Sequence, residues 1–283
     1  MGFCGCGEQI QVSRISLHFW EEPCLSGKNG SGAVFFSGCN LGCVFCQNTS
    51  VSLRDVSLRV PYRTFSREKF GDLLLFVQNS GAENINLVTP THFSDEIAAA
   101  LCQVKDRLEI PVVWNSGGYE KPETLRLLSG LVDVYLPDLK FFSQKNSARF
   151  AGAADYFQTA AEAVGEMIRQ QPETVLKNGL LKKGVLIRHL VLPGAVVESC
   201  RILDFIAANF PGVPVSLMSQ YVPAGRAERF PPLDRKLKYR EYSAVKKYCK
   251  NLGLSGYFQQ PESADGAYTP DFTDPGLLPG FLE

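Results

Sequence analysis

Near-continuous apolar runs alternate with segments of helical periodicity along most of this chain, and that alternation restricts the fold more than any other feature. Residues 33–36, 84–88, 111–114, 132–136, 184–191 and 213–218 read as six buried strands. A helical segment follows each. In 66–80, Phe70, Leu73, Leu74 and Val77 share one face, Ser66 is suited to cap the start, and Ser80-Gly81 stops the helix. The others are 94–108, 122–128, 143–150 with 154–170 (broken at Gly152), 197–209 and 239–251. Strands apolar on both faces belong to parallel sheets with helices packed outside. The expectation is an α/β fold of six strand–helix rounds, too few to fill an eight-stranded barrel. It assigns 33–259 to the core, 1–32 to an N-terminal extension and loop, and 260–283 to a Pro-, Gly- and Asp-rich tail lying over the surface. Within the extension, 9–15 alternates weakly, as an edge strand would, and 18–32 reads as a loop.

Chemistry in parallel α/β folds gathers at the C-terminal ends of strands. Directly after the first strand comes Gly38-Cys39-Asn40-Leu41-Gly42-Cys43-Val44-Phe45-Cys46, a C-x3-C-x2-C array on a loop. Thiolates so close in sequence converge on one centre with little loop-closure cost. Iron–sulfur clusters use such thiolates, usually four. Three would leave one iron open to a substrate or cofactor. A zinc site would want a second C-x2-C hook, which is missing. Buried small hydrophobes are the other reading of three cysteines, but Gly38 and Gly42 point to a loop wrapped around a ligand. Cys24 is a candidate fourth thiolate that would close the site, or else a loop thiol. Cys4 and Cys6 read as part of a second metal site or as loop thiols.

The cysteine array with an aromatic before its last Cys, Phe45, resembles the signature of radical S-adenosylmethionine (SAM) enzymes. His18-Phe19-Trp20-Glu21-Glu22-Pro23 and Phe35-Phe36-Ser37-Gly38-Cys39-Asn40-Leu41 are similar to the branch described as pyruvate formate-lyase activating enzyme-like. This likeness runs over almost the whole chain and implies a partial (β/α)6 barrel. It also implies a [4Fe-4S] cluster on Cys39, Cys43 and Cys46, with SAM chelated on the open iron. Reductive cleavage would give methionine and a 5′-deoxyadenosyl radical that abstracts a hydrogen atom. By the same resemblance Phe45 lies beside the adenine. Thr89 and Thr91, in Thr89-Pro90-Thr91-His92-Phe93, stand where many relatives carry Gly-Gly-Glu for the SAM amino group. Asn115-Ser116 stands where activating enzymes carry Asp-Thr, and Asp138-Leu139-Lys140 matches their Asp-Leu-Lys. Lys140 would reach the SAM carboxylate directly and Asp138 through a monovalent cation, whose site Asn115 in place of Asp would weaken, and Arg188 would serve SAM and the substrate backbone. Lys140 and Arg188 are the expected catalytic residues. Neighbours on one strand alternate sides, so only one of Arg188 and His189 can face inward. Gln220 and Tyr221 end the sixth strand within reach of substrate. His92 reads equally as a proton donor and as a structural histidine.

The implied substrate is a glycine of a partner glycyl-radical enzyme, with flavodoxin or ferredoxin as external electron donor. Modification of a small molecule or peptide, and a non-catalytic iron–sulfur electron carrier, are the alternatives. Composition narrows the rest. Lys plus Arg and Asp plus Glu are each 29, a formal net charge of zero, which speaks against a nucleic-acid surface or a polybasic membrane anchor. No apolar run reaches membrane-spanning length, and the first residues lack a signal-peptide core. Nine cysteines then suit a reducing, cytoplasmic setting. Ser26-Gly27-Lys28-Asn29-Gly30 lacks the phosphate-loop spacing and leads into a strand, which excludes a P-loop.

Overall fold

The computed structural model describes residues 2–260 and 270–282. Its strands are β1 (Ile10–His18), β2 (Ser31–Phe36), β3 (Arg63–Phe65), β4 (Ile85–Val88), β5 (Val112–Ser116), β6 (Val134–Pro137), β7 (Val175–Lys177), β8 (Leu180–Val185), β9 (Ile187–Leu190), β10 (Val215–Met218) and β11 (Gly256–Phe258). One sheet runs β3-β1-β2-β4-β5-β6-β8-β7 and a second β11-β10-β9. An isolated parallel bridge, Asp138 to Arg188, and the bond from Leu139 N to Arg188 O (2.8 Å) join β6 to β9. The parallel row from β2 through β4, β5, β6 and β9 to β10 therefore curves continuously, as a partial barrel wrapped by helices.

Alternation along the strands sorts the side chains. Trp114 and Tyr135 face outward into the main core, with Phe70, Leu73 and Leu101 of the helices Arg67–Asn79 and Ser94–Val104. Val113, Val134, Leu136 and Leu186 belong to a separate inner cluster. Ser66 caps its helix as expected, accepting from Lys69 N at 3.3 Å. Gly152, at φ 72°, ends Gln144–Ala151 in the left-handed conformation that glycine adopts without strain.

Four features depart from the sequence expectation. β1 is interior, paired with both β2 and β3, because the short β3 covers what would have been its free edge. β11 adds a further parallel strand beside β10; three residues carry too little pattern to be read. A β7–β8 hairpin precedes β9. Finally, 18–32 is not a loop throughout: Phe19, Trp20 and 27–29 are exposed, but the segment between them turns inward. It folds back beneath the barrel, where the helical turn Pro23–Ser26 buries Cys24 and Leu25 against Val113, Val134, Leu136, Leu181 and Leu186. Asn84 Nδ2 fastens this plug through Leu25 O at 2.8 Å.

Of the tail, 261–269 lies outside the described residues. The rest is partly internal, with Gly276 bridging Ile15 and Phe272 and Leu278 buried. Among the described residues no helix is long and apolar enough to cross a membrane.

Candidate active site

The cysteine loop is held from several sides. Gly42 N and Val44 N donate to Ala151 O (2.9 Å) and Phe150 O (2.8 Å), and Arg226 N donates to Val44 O at 2.7 Å. Gly38 has φ 90°, and a Cβ there would lie 2.4 Å from Cys6 Sγ. This position needs glycine for both conformation and space. Asn40 Nδ2 reaches Tyr119 O at 2.6 Å, tying the loop to the one after β5.

Cys39, Cys43 and Cys46 are free thiols lining one cavity of about 190 Å³ together with Phe45, Thr89, Asn115, Ser116, Asp138, Lys140 and Arg188. Gln220, Tyr221, Val88, Leu190 and Met218 are among the other residues of its wall. A second cavity, about 480 Å³, reaches the same cysteines from the other side, past Arg54, Arg149 and Arg226. Among the described residues no His, Cys, Asp or Glu side chains cluster tightly enough to hold a single metal ion. Three cysteines around a shared cavity suit a larger cluster. Burial pushes the Cys39 thiol up to about 11 and Cys43 to about 12, with the Lys140 charge opposing it at both. These thiols stay neutral until an iron centre displaces their protons.

Above the cysteines stands a charged network. Arg188 uses all three nitrogens: Nε to Asp138 Oδ1 (3.1 Å), Nη1 to Glu21 Oε2 (3.1 Å) and Nη2 to Asn115 Oδ1 (2.7 Å). Lys140 Nζ donates to Asp138 Oδ2. Glu21 Oε1 accepts from Asn86 Nδ2 at 2.9 Å and Asn115 Nδ2 at 3.3 Å. Burial alone would raise Asp138, but Lys140 and Arg188 outweigh it and hold its carboxyl below the usual range. Burial likewise disfavours the charge on Lys140, which Asp138 restores, so its pKa is raised. The Tyr156 hydroxyl accepts from Lys140 N (3.0 Å) and lies 2.7 Å from Asp138 O and 2.8 Å from Gly117 O, clamping the loops after β5 and β6.

The expected residues thus meet in one place, with one correction. Thr91 does not line the cavity; its hydroxyl donates to Glu120 Oε1 at 2.9 Å. The turn Thr91–Phe93 carries it away, and buried Glu120 also receives Trp114 Nε1 (2.7 Å) and Ser116 Oγ (2.6 Å). Burial raises the Glu120 pKa, and these three bonds oppose the rise. Thr89 does face the site, at φ 61°. A β-branched residue is strained there, where glycine is free. His92 is structural: Nε2 lies 2.8 Å from Ser37 O, and burial brings its pKa down to about 4. Arg188 points inward, whereas His189 is buried outward between Leu139 O and Ser199 Oγ. Cys24 lines neither cavity. Burial raises its thiol to about 11, beneath the barrel. Glu21, read from the sequence as a recognition residue near the cluster or a solvated loop residue, is the former in position, whereas Asn86, Glu120 and Tyr156 were missed as supports of the site.

A Radical SAM superfamily profile matches residues 33–206. A relative described as uncharacterized protein MJ0674, from Methanocaldococcus jannaschii, is 33% identical over 261 residues, covering 89% of this chain and 70% of that protein. Among solved structures, Streptococcus suis SuiB bound to S-adenosylmethionine aligns with a TM-score of 0.52 at 15% identity, over 79% of this chain and 48% of that one. SuiB bound to the precursor peptide SuiA gives 0.51 at 15%, over 79% and 47%. A variant of spore photoproduct lyase gives 0.50 at 11%, over 79% and 74%. The chain spans about half the length of the SuiB chains, and at these identities the likeness concerns the fold alone.

Proposed function

The chain belongs to the radical SAM superfamily, and from that premise we propose that it cleaves S-adenosylmethionine reductively at a [4Fe-4S] cluster and takes a hydrogen atom from a substrate. The family uses this cluster and SAM as its cofactors. One observation carries the reading: a single cavity is lined at once by Cys39, Cys43 and Cys46 and by Thr89, Asn115, Ser116, Asp138, Lys140 and Arg188.

When bound, the cluster and SAM supply an electron and a carbon-centred radical strong enough to break a C–H bond. The chain supplies binding and orientation. Cys39, Cys43 and Cys46 would hold iron as thiolates. Lys140 and Arg188 offer donors to a carboxylate, and Arg188 does so as a fork already oriented by Asp138, Glu21 and Asn115. The Thr89 backbone, turned by its positive φ, and the Asn115 side-chain oxygen can accept from an ammonium. Val88, Leu190, Met218 and Phe45 give the cavity an apolar wall.

The finer assignment is activation of a partner glycyl-radical enzyme, by abstraction from a glycine. Its support is the likeness of residues 18–23, 35–41 and 138–140 to activating enzymes. A flavodoxin- or ferredoxin-type donor, acidic in charge, would approach the cysteines through the cavity rimmed by Arg54, Arg149 and Arg226. The burial of Cys24 favours catalysis over a closed electron carrier, because it leaves the cluster without that fourth thiolate.

The test is anaerobic. The cluster is rebuilt and reduced, SAM is added, and 5′-deoxyadenosine is measured. Formation in the wild type and its abolition in Cys43→Ala, which should also lose iron, is the expected result. A reduced cluster whose electron paramagnetic resonance signal ignores SAM, with no product, overturns the reading.

A further inference from the structure

Behind Arg188 lies a further cavity of about 250 Å³, lined by Phe19, Trp20, Glu21, Glu22, Arg188, Ser216, Met218, Gln220 and Tyr257 among others. None of the three cluster cysteines borders it, but Arg188, Met218 and Gln220 also line the cavity that holds the cysteines. Ser216 is in register with Arg188 on one side and Tyr257 on the other, so the floor is a row of inward-facing positions across β9, β10 and β11. The mouth carries two large half-exposed aromatics, Phe19 at 51% and Trp20 at 54% exposure.

Glu22 is the unusual member. It is 8% exposed, and its Oε2 and the neighbouring Ser216 Oγ make no hydrogen bond of good geometry among the described residues, although Ser216 lies close enough to lower the Glu22 pKa. A buried carboxyl left this way costs stability unless a ligand completes it. Arg188 makes no hydrogen bond to it, being turned toward Asp138, Glu21 and Asn115. Across the two cavities Glu21, Glu22 and Asp138 face Arg188 and Lys140, three acids against two bases. A cation beside Glu22 would compensate its charge as Lys140 and Arg188 compensate that of Asp138. Burial raises the Glu22 pKa in the absence of such a charge, with Arg188 opposing.

We propose that this cavity binds an organic cation, an ammonium or guanidinium head group, between the Glu22 carboxylate and the aromatic faces of Trp20 and Phe19. Aromatic faces attract such groups, and a charge-assisted bond to a desolvated carboxylate is among the stronger polar contacts. The cation could arrive as a small amine or as a lysyl or arginyl side chain of a protein substrate; both present the same chemistry. Its role as a substrate determinant rests on the radical SAM reading. Cation binding itself does not.

The experiment uses cluster-loaded protein under anaerobic conditions, titrated calorimetrically with n-butylamine and with n-butanol as neutral counterpart. A second arm uses a blocked pentapeptide with a central lysine and its norleucine counterpart. At least one cation should bind about tenfold or more tighter than its neutral partner. Glu22→Gln should erase that preference while leaving the neutral ligand unchanged. Trp20 fluorescence should report the same titration, since Trp114, the other tryptophan, is buried. Binding by the amine alone assigns a small-molecule source; binding by the lysyl peptide assigns a protein. Glu22→Asp, which keeps the charge, should retain part of the preference and guards against a folding defect in the first variant. No preference for either cation, or a preference that survives Glu22→Gln, overturns the proposal. SAM cleavage measured on the same samples is independent. Cation binding lost with cleavage intact removes this assignment alone.

Discussion

Two layers of the barrel interior are built from the same strands and behave as opposites. The lower one, Val113, Val134, Leu136, Leu181 and Leu186 with Cys24 and Leu25 of the plug, is fully apolar. The upper one, two residues further along β5, β6 and β9, holds Asn115, Asp138 and Arg188, joined by Lys140 and by Glu21 from the plug loop. Burying the lower side chains contributes about 1.5–3 kcal/mol each. The upper layer must desolvate several charges, which pairing only offsets. Adjacent layers of one barrel thus divide the work: one stabilises, and the other sacrifices stability to hold donors where a ligand needs them. The 19–26 segment serves both, with Glu21 above and Leu25 below.

The sharpest way to break this division is to remove its central cation. Arg188→Met leaves Glu21 and Asp138 facing each other across a buried gap, and should cost about 3–5 kcal/mol in stability, with SAM cleavage lost in proportion to ligand affinity. The effect has a pH signature. Asp138 is held below its ordinary value, so its stabilising contribution is present above about pH 4. That contribution is lost as pH falls through the folded value. Arg188→Met should shrink this acid limb, read from urea midpoints across pH. A variant as stable as wild type would mean the network is not under electrostatic load.

The lower layer is tested by Leu25→Ala. A fully buried leucine without room to collapse costs about 2–5 kcal/mol on truncation, and Leu25 is 0% exposed. Because the loss is apolar it should be pH-independent, and SAM cleavage per folded molecule should be unchanged. A large fall in cleavage at full folding would show that the plug sets the geometry of Glu21 and Arg188, and the two layers would then be one unit.

Much of this arrangement was legible in the sequence. The strands could be read because they are apolar on both faces, and the cysteine loop because its ligands are local. The loops after β5 and β6 were found because Asn115-Ser116 and Asp138-Leu139-Lys140 sit at strand ends where the resembled activating enzymes carry Asp-Thr and Asp-Leu-Lys. What could not be read depends on distance. Glu21, whose place in the sequence allows recognition or a solvated loop equally, meets Arg188 across 167 residues, a partnership that no local pattern announces. β11 is three residues long. Thr91 misled because its hydroxyl suits an ammonium as well as it suits Glu120, and only the turn after β4 decides between them.

Cys24→Ser probes the boundary between the layers and should have the smallest effect. The thiol lies in the apolar layer, next to the Tyr257 hydroxyl, and lines neither cysteine cavity. Replacing sulfur by oxygen buries a hydroxyl, a cost of about 1–3 kcal/mol when unbonded, and Tyr257 is placed to satisfy it. Stability should therefore fall by about 1 kcal/mol or less, while iron content and SAM cleavage stay at wild-type levels. Loss of iron would place Cys24 on the cluster after all. That outcome requires the plug to unwind and cross the polar layer, so the contrast between the layers would fail along with the open iron that SAM needs.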